Sequence, residues 1–252
     1  MKLIGQILAG ALSVLIIWEL AILIFHPATY VFPAPLQVFQ ALQSQGDILW
    51  NNSLYTVTEV LIGFILANAI SLLIALVVAF IPKIENPMTS LAVTLKTIPI
   101  IAIAPLLVLW FGSGIWSKVV AVIFVCFFPA LVNILRGIKS LDADLHQLFR
   151  VYSVSKFQLI KLFIMPGILP YLFSALKVSS SLAIIGAIVG EFISANKGLG
   201  FLIVTNYYSL NIPMVFACIL ITSFMGIILY HLIGYIEGKT VPSLTKLDEA
   251  KS

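Results

Sequence analysis

Lys96, Lys177, Glu19, Glu59 and Glu191 each stand inside, or at the end of, a long apolar run. An ionised group in apolar surroundings is costly unless it meets a partner or a water-filled cavity. Lys96 and Lys177 can therefore line a cavity and attract an anion. Equally, their long stems can carry the ammonium groups to a polar boundary, and the residues alone leave both readings open. Glu191, followed by Gly198 and Gly200, reads as a gate or pathway residue or as an interfacial carboxylate. Glu19 and Glu59 read as hydrogen-bond partners between helices. His26, His146 and His231 are scattered, and Cys126 and Cys218 lie in different runs without metal or redox spacing. No metal site and no catalytic residue is expected, since no Ser/His, paired-Asp or ligand cluster is evident. The tripeptide GKT at 238–240 echoes a phosphate loop, but Ile233 stands at the first glycine position and no strand precedes it.

The elements that must position these groups are apolar helices. Of 252 residues 61% are hydrophobic and 10% charged, and the mean hydropathy is +1.13. Soluble domains are about 45–50% apolar and about 25% charged, so the expected class is an all-α integral membrane protein. About six spans are predicted, over 4–25, 54–80, 87–111, 116–136, 167–190 and 213–234, in a single domain covering 1–252. The first run is too long for a signal peptide and no clean cleavage pattern follows it. Pro99 and Pro105 fall in the third span and Pro129 in the fourth, where each removes a backbone hydrogen bond and bends the helix. Freed carbonyls at membrane depth are tolerated beside protein or a wet cavity, which makes Pro99 and Pro105 pathway-lining candidates. Pro129 is read equally well as a packing kink. Trp110 and Trp116 flank the turn between these spans as an aromatic belt does.

Orientation follows from Lys and Arg. With the N-terminus inside, ten fall in inner segments and two, Lys118 and Lys197, in outer ones. Both termini are therefore predicted to be cytoplasmic. The net charge of +4 is too small to indicate nucleic acid.

The largest inner loop contains "FRVYSVSKFQLIKLFIMPGILP", with Arg150, Lys156 and Lys161. Asp142 is a plausible N-cap, and Leu145, Leu148, Phe149 and Tyr152 then share a helical face. Ser153-Val154-Ser155 breaks the run, and Ser155 with Gln158 is a capping box that starts a second helix. Pro166 and Pro170 bracket the approach to the fifth span. By periodicity alone this pair of helices either lies on anionic lipid or docks on a protein.

The loop resembles the cytoplasmic loop of inner-membrane permease subunits of bacterial ABC importers. That motif runs Glu-Ala-Ala, three residues, Gly, and about nine more before Ile-x-Leu-Pro. Here Gln147, Leu148 and Phe149 stand at Glu-Ala-Ala and Ser153 at the glycine, whereas "SKFQLIKLFIMPGILPYLFSALKVS" fits well. Three other segments follow in the family's order: "FPAPLQVFQAL" (32–42), "KTIPIIAIAPLLVLWFGSG" (96–114) and "SLAIIGAIVGEFISANKGLGFLI" (181–203). They are similar to the nitrate, taurine and sulfonate branch, which also includes thiamine-precursor and riboflavin permeases.

The resemblance implies a type I ABC importer permease fold in the bacterial inner membrane, surrounded by lipid. It also implies an ABC ATPase in two copies that binds the ATP, a periplasmic or lipid-anchored solute-binding protein, and a permease homodimer. No cofactor is implied for this chain. Coupling to the ATPase falls to 142–166, with Gln147, Leu148, Phe149, Arg150, Tyr152, Ser153, Ser155 and Lys156 as contacts. Cargo expectations divide between a sulfonate, taurine or nitrate-like anion and a pyrimidine or riboflavin-like vitamin precursor. For the vitamin precursors, aromatic and hydroxyl groups near Tyr207 and Tyr208 are the expected contacts. A stand-alone secondary transporter or channel is the alternative; many are longer and internally duplicated, and no repeat is detectable here.

Overall fold

The apolar runs fold into helices that share glycine-lined contacts. The computed structural model describes residues 2–141 and 155–241, and every regular element among them is helical. In chain order they are α1 (Lys2–Phe25), α2 (Pro35–Ser44), α3 (Gly46–Phe80), α4 (Glu85–Lys96), α5 (Ile100–Phe111), α6 (Ile115–Lys139), α7 (Lys156–Ser194), α8 (Leu199–Tyr208) and α9 (Ile212–Thr240). A 3-10 turn at Pro82–Ile84 leads into α4.

Among the described residues, α3, α6, α7 and α9 are each long and apolar enough to cross a membrane. At 1.5 Å per residue α7 is roughly 58 Å long, well beyond a hydrocarbon core of about 30 Å. α6, α7 and α9 extend the predicted spans 116–136, 167–190 and 213–234 at both ends, and α3 extends 54–80 at its N-terminal end. α1 matches the first span, and Leu12–Phe25 is its apolar part.

The third predicted span, 87–111, is not one straight helix. It is broken between α4 and α5, which meet at 96°. Pro99 causes the break: it is the N-cap of α5 in extended conformation, and a residue before proline is driven out of helical geometry. Among the described residues four helices, or five spans with the bent α4–α5 pair counted as one, are long and apolar enough to cross, so the expected six is matched only roughly; the apolar part of α1, Leu12–Phe25, is shorter.

The core is organised around α6. Gly63 of α3 and Gly186 of α7 approach Val122 of α6 from two sides. A Cβ at Gly63 would lie 2.5 Å from the Val122 Cβ, and one at Gly186 would lie 2.8 Å from its Cα. Polar links reinforce the contact: the Ser71 hydroxyl donates to the Phe127 carbonyl at 2.9 Å, and Ser179 reaches the Asn68 carbonyl oxygen at 3.4 Å. Small residues that let backbones meet, with hydroxyls as glue, are what holds helices together where lipid removes the hydrophobic drive. Towards the end of the bundle that holds the α3 C-terminus, Val78, Leu131, Ile134, Ile164 and Ile168 are buried together. At the other end, α8 packs Leu199 and Leu202 against Met214, Cys218, Val38 and Leu49.

α1 is tethered mainly at Trp18. The indole donates to the Pro33 carbonyl at 2.9 Å and packs on Phe32 and Phe216. Among its described side chains, Leu12, Ile17, Leu23, Ile24 and Phe25 are exposed. Within α7 a π turn at Ile160–Ile164 directly precedes Pro166, and the helix then continues through Pro170. The capping box read from the sequence is present: the Ser155 hydroxyl accepts from the Gln158 N–H at 3.3 Å, and the Gln158 side chain accepts from the Ser155 N–H at 3.0 Å.

Candidate functional site

Along α7 the described part of the chain has a groove with mainly apolar walls and a few polar side chains. Ser174, Val178, Ser181 and Ile185 recur at helical spacing and are all exposed, so they form one open stripe along the helix. Three cavities abut on it. One of about 630 Å³ is lined by Lys96, Pro129, Ser174, Lys177, Ser181 and Tyr230, among others. One of about 480 Å³ lies between α7 and α9 and includes Ser181, Ile188, Thr222, Gly226, Tyr230 and His231. The third, about 250 Å³, sits at the α4–α5 break and includes Lys96, Pro99, Val125, Phe128 and Pro129. Ser181 and Tyr230 border the first two, and Lys96 and Pro129 border the first and third, so the three form a continuous cleft.

The α4–α5 break builds one wall. It places Lys96 in the last turn of α4, where a cation is favoured by the helix dipole, and turns Pro99 into the cleft. Pro129 removes the N–H that would pair with the Val125 carbonyl, and Val125 lines the same cavity. Lys177 enters from α7, but it does not snorkel freely: it forms an ion pair with Glu237 of α9 and lies 6.0 Å from the Tyr230 ring centroid. Lys96 makes no ion pair among the described residues. Of the pathway candidates, Lys96, Pro99 and Lys177 thus converge. Pro105 lies inside α5 and is exposed outside these three cavities.

Glu191 is elsewhere, near the end of α7 that packs on α8. It is 1% exposed and forms the centre of a knot at the α8 end. Its carboxylate accepts from the Thr56 hydroxyl at 2.7 Å and from the Gly200 N–H at 2.5 Å. Thr56 in turn accepts from the Leu199 N–H at 2.9 Å, and the Asn52 side chain accepts from the Gly198 N–H at 2.8 Å. The carboxylate and its neighbours therefore satisfy the free amides of the first turn of α8, which satisfies orphan donors and favours the dipole together. Gly198 has φ +108°, and a Cβ there would stand 2.3 Å from the Glu191 carboxyl carbon; at Gly200 the nearest approach would be 2.8 Å. The expectation that Glu59 serves between helices is met in part: it is buried in the same knot, with one oxygen that finds no hydrogen-bond partner.

Sequence reasoning missed two members. Lys118 was placed in an outer segment, yet it is buried in the first turn of α6 and donates to the Ser113 carbonyl at 2.5 Å and the Ser194 carbonyl at 3.1 Å. His231 was set aside as scattered, yet it lines the cleft beside Tyr230. The Gly198-x-Gly200 spacing was the available signal for the knot. The coupling residues Gln147, Leu148, Phe149, Arg150, Tyr152 and Ser153 lie outside the described residues, as does the Asp142 cap. Ser155 and Lys156 open α7 at the end opposite α8, and Lys156 lies over the Phe80 ring. GKT at 238–240 is the last turn of α9, not a loop before a helix.

A bundle of apolar helices with one helix broken at a proline and a cleft holding Lys, Ser, Tyr and His side chains fits a membrane transport protein. The chain matches the family described as "Binding-protein-dependent transport system inner membrane component" over residues 59–241, and it belongs to that family. It is 34% identical over 233 residues to the formylaminopyrimidine transport permease protein ThiX of Halalkalibacterium halodurans, covering 92% of each chain. It is 31% identical to a probable ABC transporter permease protein of Haemophilus influenzae, covering 91% of this chain and 94% of the relative. The riboflavin transport system permease protein RibX of Chloroflexus aurantiacus is 31% identical, with 88% of this chain and 84% of the relative covered. The protein is the permease subunit of an ATP-driven ABC importer, a multi-pass protein of the inner membrane that works with an ATPase and a solute-binding protein.

Proposed function

We propose that two copies of this chain face each other across the α7 cleft and form one translocation pathway for a small uncharged heterocycle of the pyrimidine or flavin type. The observation that carries the reading is the charge balance of the cleft: Lys177 is already paired with Glu237, so the cations read from the sequence do not add up to an anion-binding ring. Two relatives, the formylaminopyrimidine and riboflavin permeases, support the same class. The anion reading rests on Lys96 alone. The binding protein delivers the cargo, so its preference is the direct test. Formylaminopyrimidine or riboflavin is expected to raise its melting temperature, and taurine, alkanesulfonates and nitrate to leave it unchanged. Stabilisation by the anions alone rejects the heterocycle. Native mass measurement of the detergent-purified complex is expected to give two identical permease chains and two ATPases; a second, different permease rejects the homodimer.

Both termini and the loop over 142–154 lie on the cytoplasmic side in this reading, and residues 1–252 act as one permease domain. ATP binds on the partner ATPase, and this chain carries no catalytic residue, metal or cofactor. The loop, with Ser155 and Lys156 at the start of α7, docks on the ATPase. Its closure drives alternating access by stabilising one permease state over the other. Gln147, the basic groups of Arg150 and Lys156 and the apolar face of Leu148, Phe149 and Tyr152 make the contact, with the turn at Ser153. Replacing Phe149 and Tyr152 together by Asp is expected to release the ATPase or uncouple hydrolysis from uptake. Co-purification and transport at unchanged levels in that variant would reject the docking role.

A further inference from the structure

We infer that Ser181, Tyr230 and His231 form a cargo-contact station at the waist of the cleft, built for a flat, uncharged heterocycle that both donates and accepts hydrogen bonds. This rests on the importer reading above and adds the residues that recognise the cargo in passage.

Ser181 and Tyr230 stand where the cavities of about 480 and 630 Å³ meet, and the His231 ring lies perpendicular to the Tyr230 ring at 5.6 Å between centroids. Other hydroxyls on the same two helices are satisfied by their own backbone. Thr222 and Ser223 donate to the Ile219 carbonyl at 2.9 and 2.8 Å, and Ser180 to the Lys177 carbonyl at 2.7 Å. By contrast, among the described residues no hydrogen bond involves the hydroxyls of Ser181 and Tyr230 or either nitrogen of His231. Three polar groups left open at membrane depth are costly against lipid, so this face meets something that hydrogen-bonds.

The chemistry offered selects the ligand. A neutral imidazole presents one donor and one acceptor, and each hydroxyl presents both. The nearest cation, Lys177, is compensated by Glu237, so an anion at the waist would find Lys96 alone as a counter-charge on the cavity of about 630 Å³. Ile184, Ile185 and Ile227 supply apolar walls, which suits a ring with polar edges. Gly226 keeps the slot wide, because a Cβ there would meet only Ile184, at 3.7 Å. The cavity sizes fall in the range of small-molecule sites.

The test uses the complete complex in proteoliposomes, with ATP on the ATPase side and binding protein loaded with labelled formylaminopyrimidine or riboflavin. Ser181→Ala and His231→Ala are each expected to lower maximal uptake by about three- to tenfold, the loss of one net hydrogen bond. The concentration of loaded binding protein at half-maximal uptake is expected to stay the same. His231→Asn, which keeps a donor and an acceptor, is expected to recover part of the rate, and Gly226→Leu to block the slot at unchanged melting temperature. Wild-type uptake in Ser181→Ala, His231→Ala and Gly226→Leu overturns the station. Uptake and melting temperature falling together, with His231→Asn no better than His231→Ala, also overturns it in favour of a packing role. Failure of the cargo reading itself is visible before any variant is made: a wild-type complex that carries taurine and neither heterocycle rejects the proposed function and the station with it.

Discussion

Replacing Glu191 with leucine is expected to destabilise the protein by about 3–5 kcal/mol, the scale seen when one partner of a buried charged network is removed. The carboxylate receives the Thr56 hydroxyl and the Gly200 N–H, and it shares its buried surroundings with Lys118 and Glu59. Leucine would leave the Gly200 amide orphaned at the start of α8, and Thr56 would lose its shorter acceptor bond, keeping the Asn52 carbonyl at 3.3 Å while still holding the Leu199 amide. The bulkier branch would also press on Gly198 and Gly200, which have no room to yield. Glu191→Gln keeps an acceptor and is expected to cost less. Thr56→Val is expected to cost an intermediate amount, and Thr56→Ser almost nothing, because the hydroxyl is retained. Thermal unfolding of the detergent-solubilised chain reads the series directly. An unchanged melting temperature in Glu191→Leu would show that the knot contributes nothing to the α8 corner.

The second large effect is expected at Gly186. Its missing Cβ lets the α7 backbone approach α6 so closely that an added Cβ would lie 2.8 Å from the Val122 Cα and 3.2 Å from the Ala121 carbonyl. Those are backbone atoms, so no rotamer change relieves the clash. Gly186→Leu is expected to force α6 and α7 apart, at or above the 1–3 kcal/mol typical of overpacking. Because α7 carries the cleft, uptake is expected to be lost with the fold. Gly226→Leu is the informative contrast, since it adds the same side chain where only Ile184 is near. Accumulation of well-folded Gly186→Leu protein in the membrane, measured by size-exclusion profile and melting temperature, would show that the α6–α7 contact is slack.

Much of this architecture was legible before any coordinates. The apolar runs announced the helices, because a stretch of about 20 residues without charge has few other folds. The Ser155 and Gln158 spacing announced the start of α7, because capping is local chemistry between residues three apart. Lys118 was not readable: its position near a span end suggested a loop, and only the fold shows two backbone carbonyls, from Ser113 and Ser194, closing on its ammonium group. Hydropathy likewise continued the third span through residues 97–99, because a window average does not register a bend of 96° at one proline.

By itself the sequence determined that this is an all-helical membrane protein, where its long helices run, and which transporter family its segments resemble. Those properties are set by hydrophobicity summed along the chain and by contacts between neighbours in sequence. Tertiary structure alone decided which polar groups are spent and which are free. Glu191 lies 135 residues from Thr56, yet the two close the knot at the α8 end. Lys177 is neutralised because α9 returns Glu237 to its side, while Ser181 and His231, equally polar on paper, are left facing the cleft. The physical reason is that partner choice depends on distance across the bundle, and helix packing, not sequence separation, sets that distance.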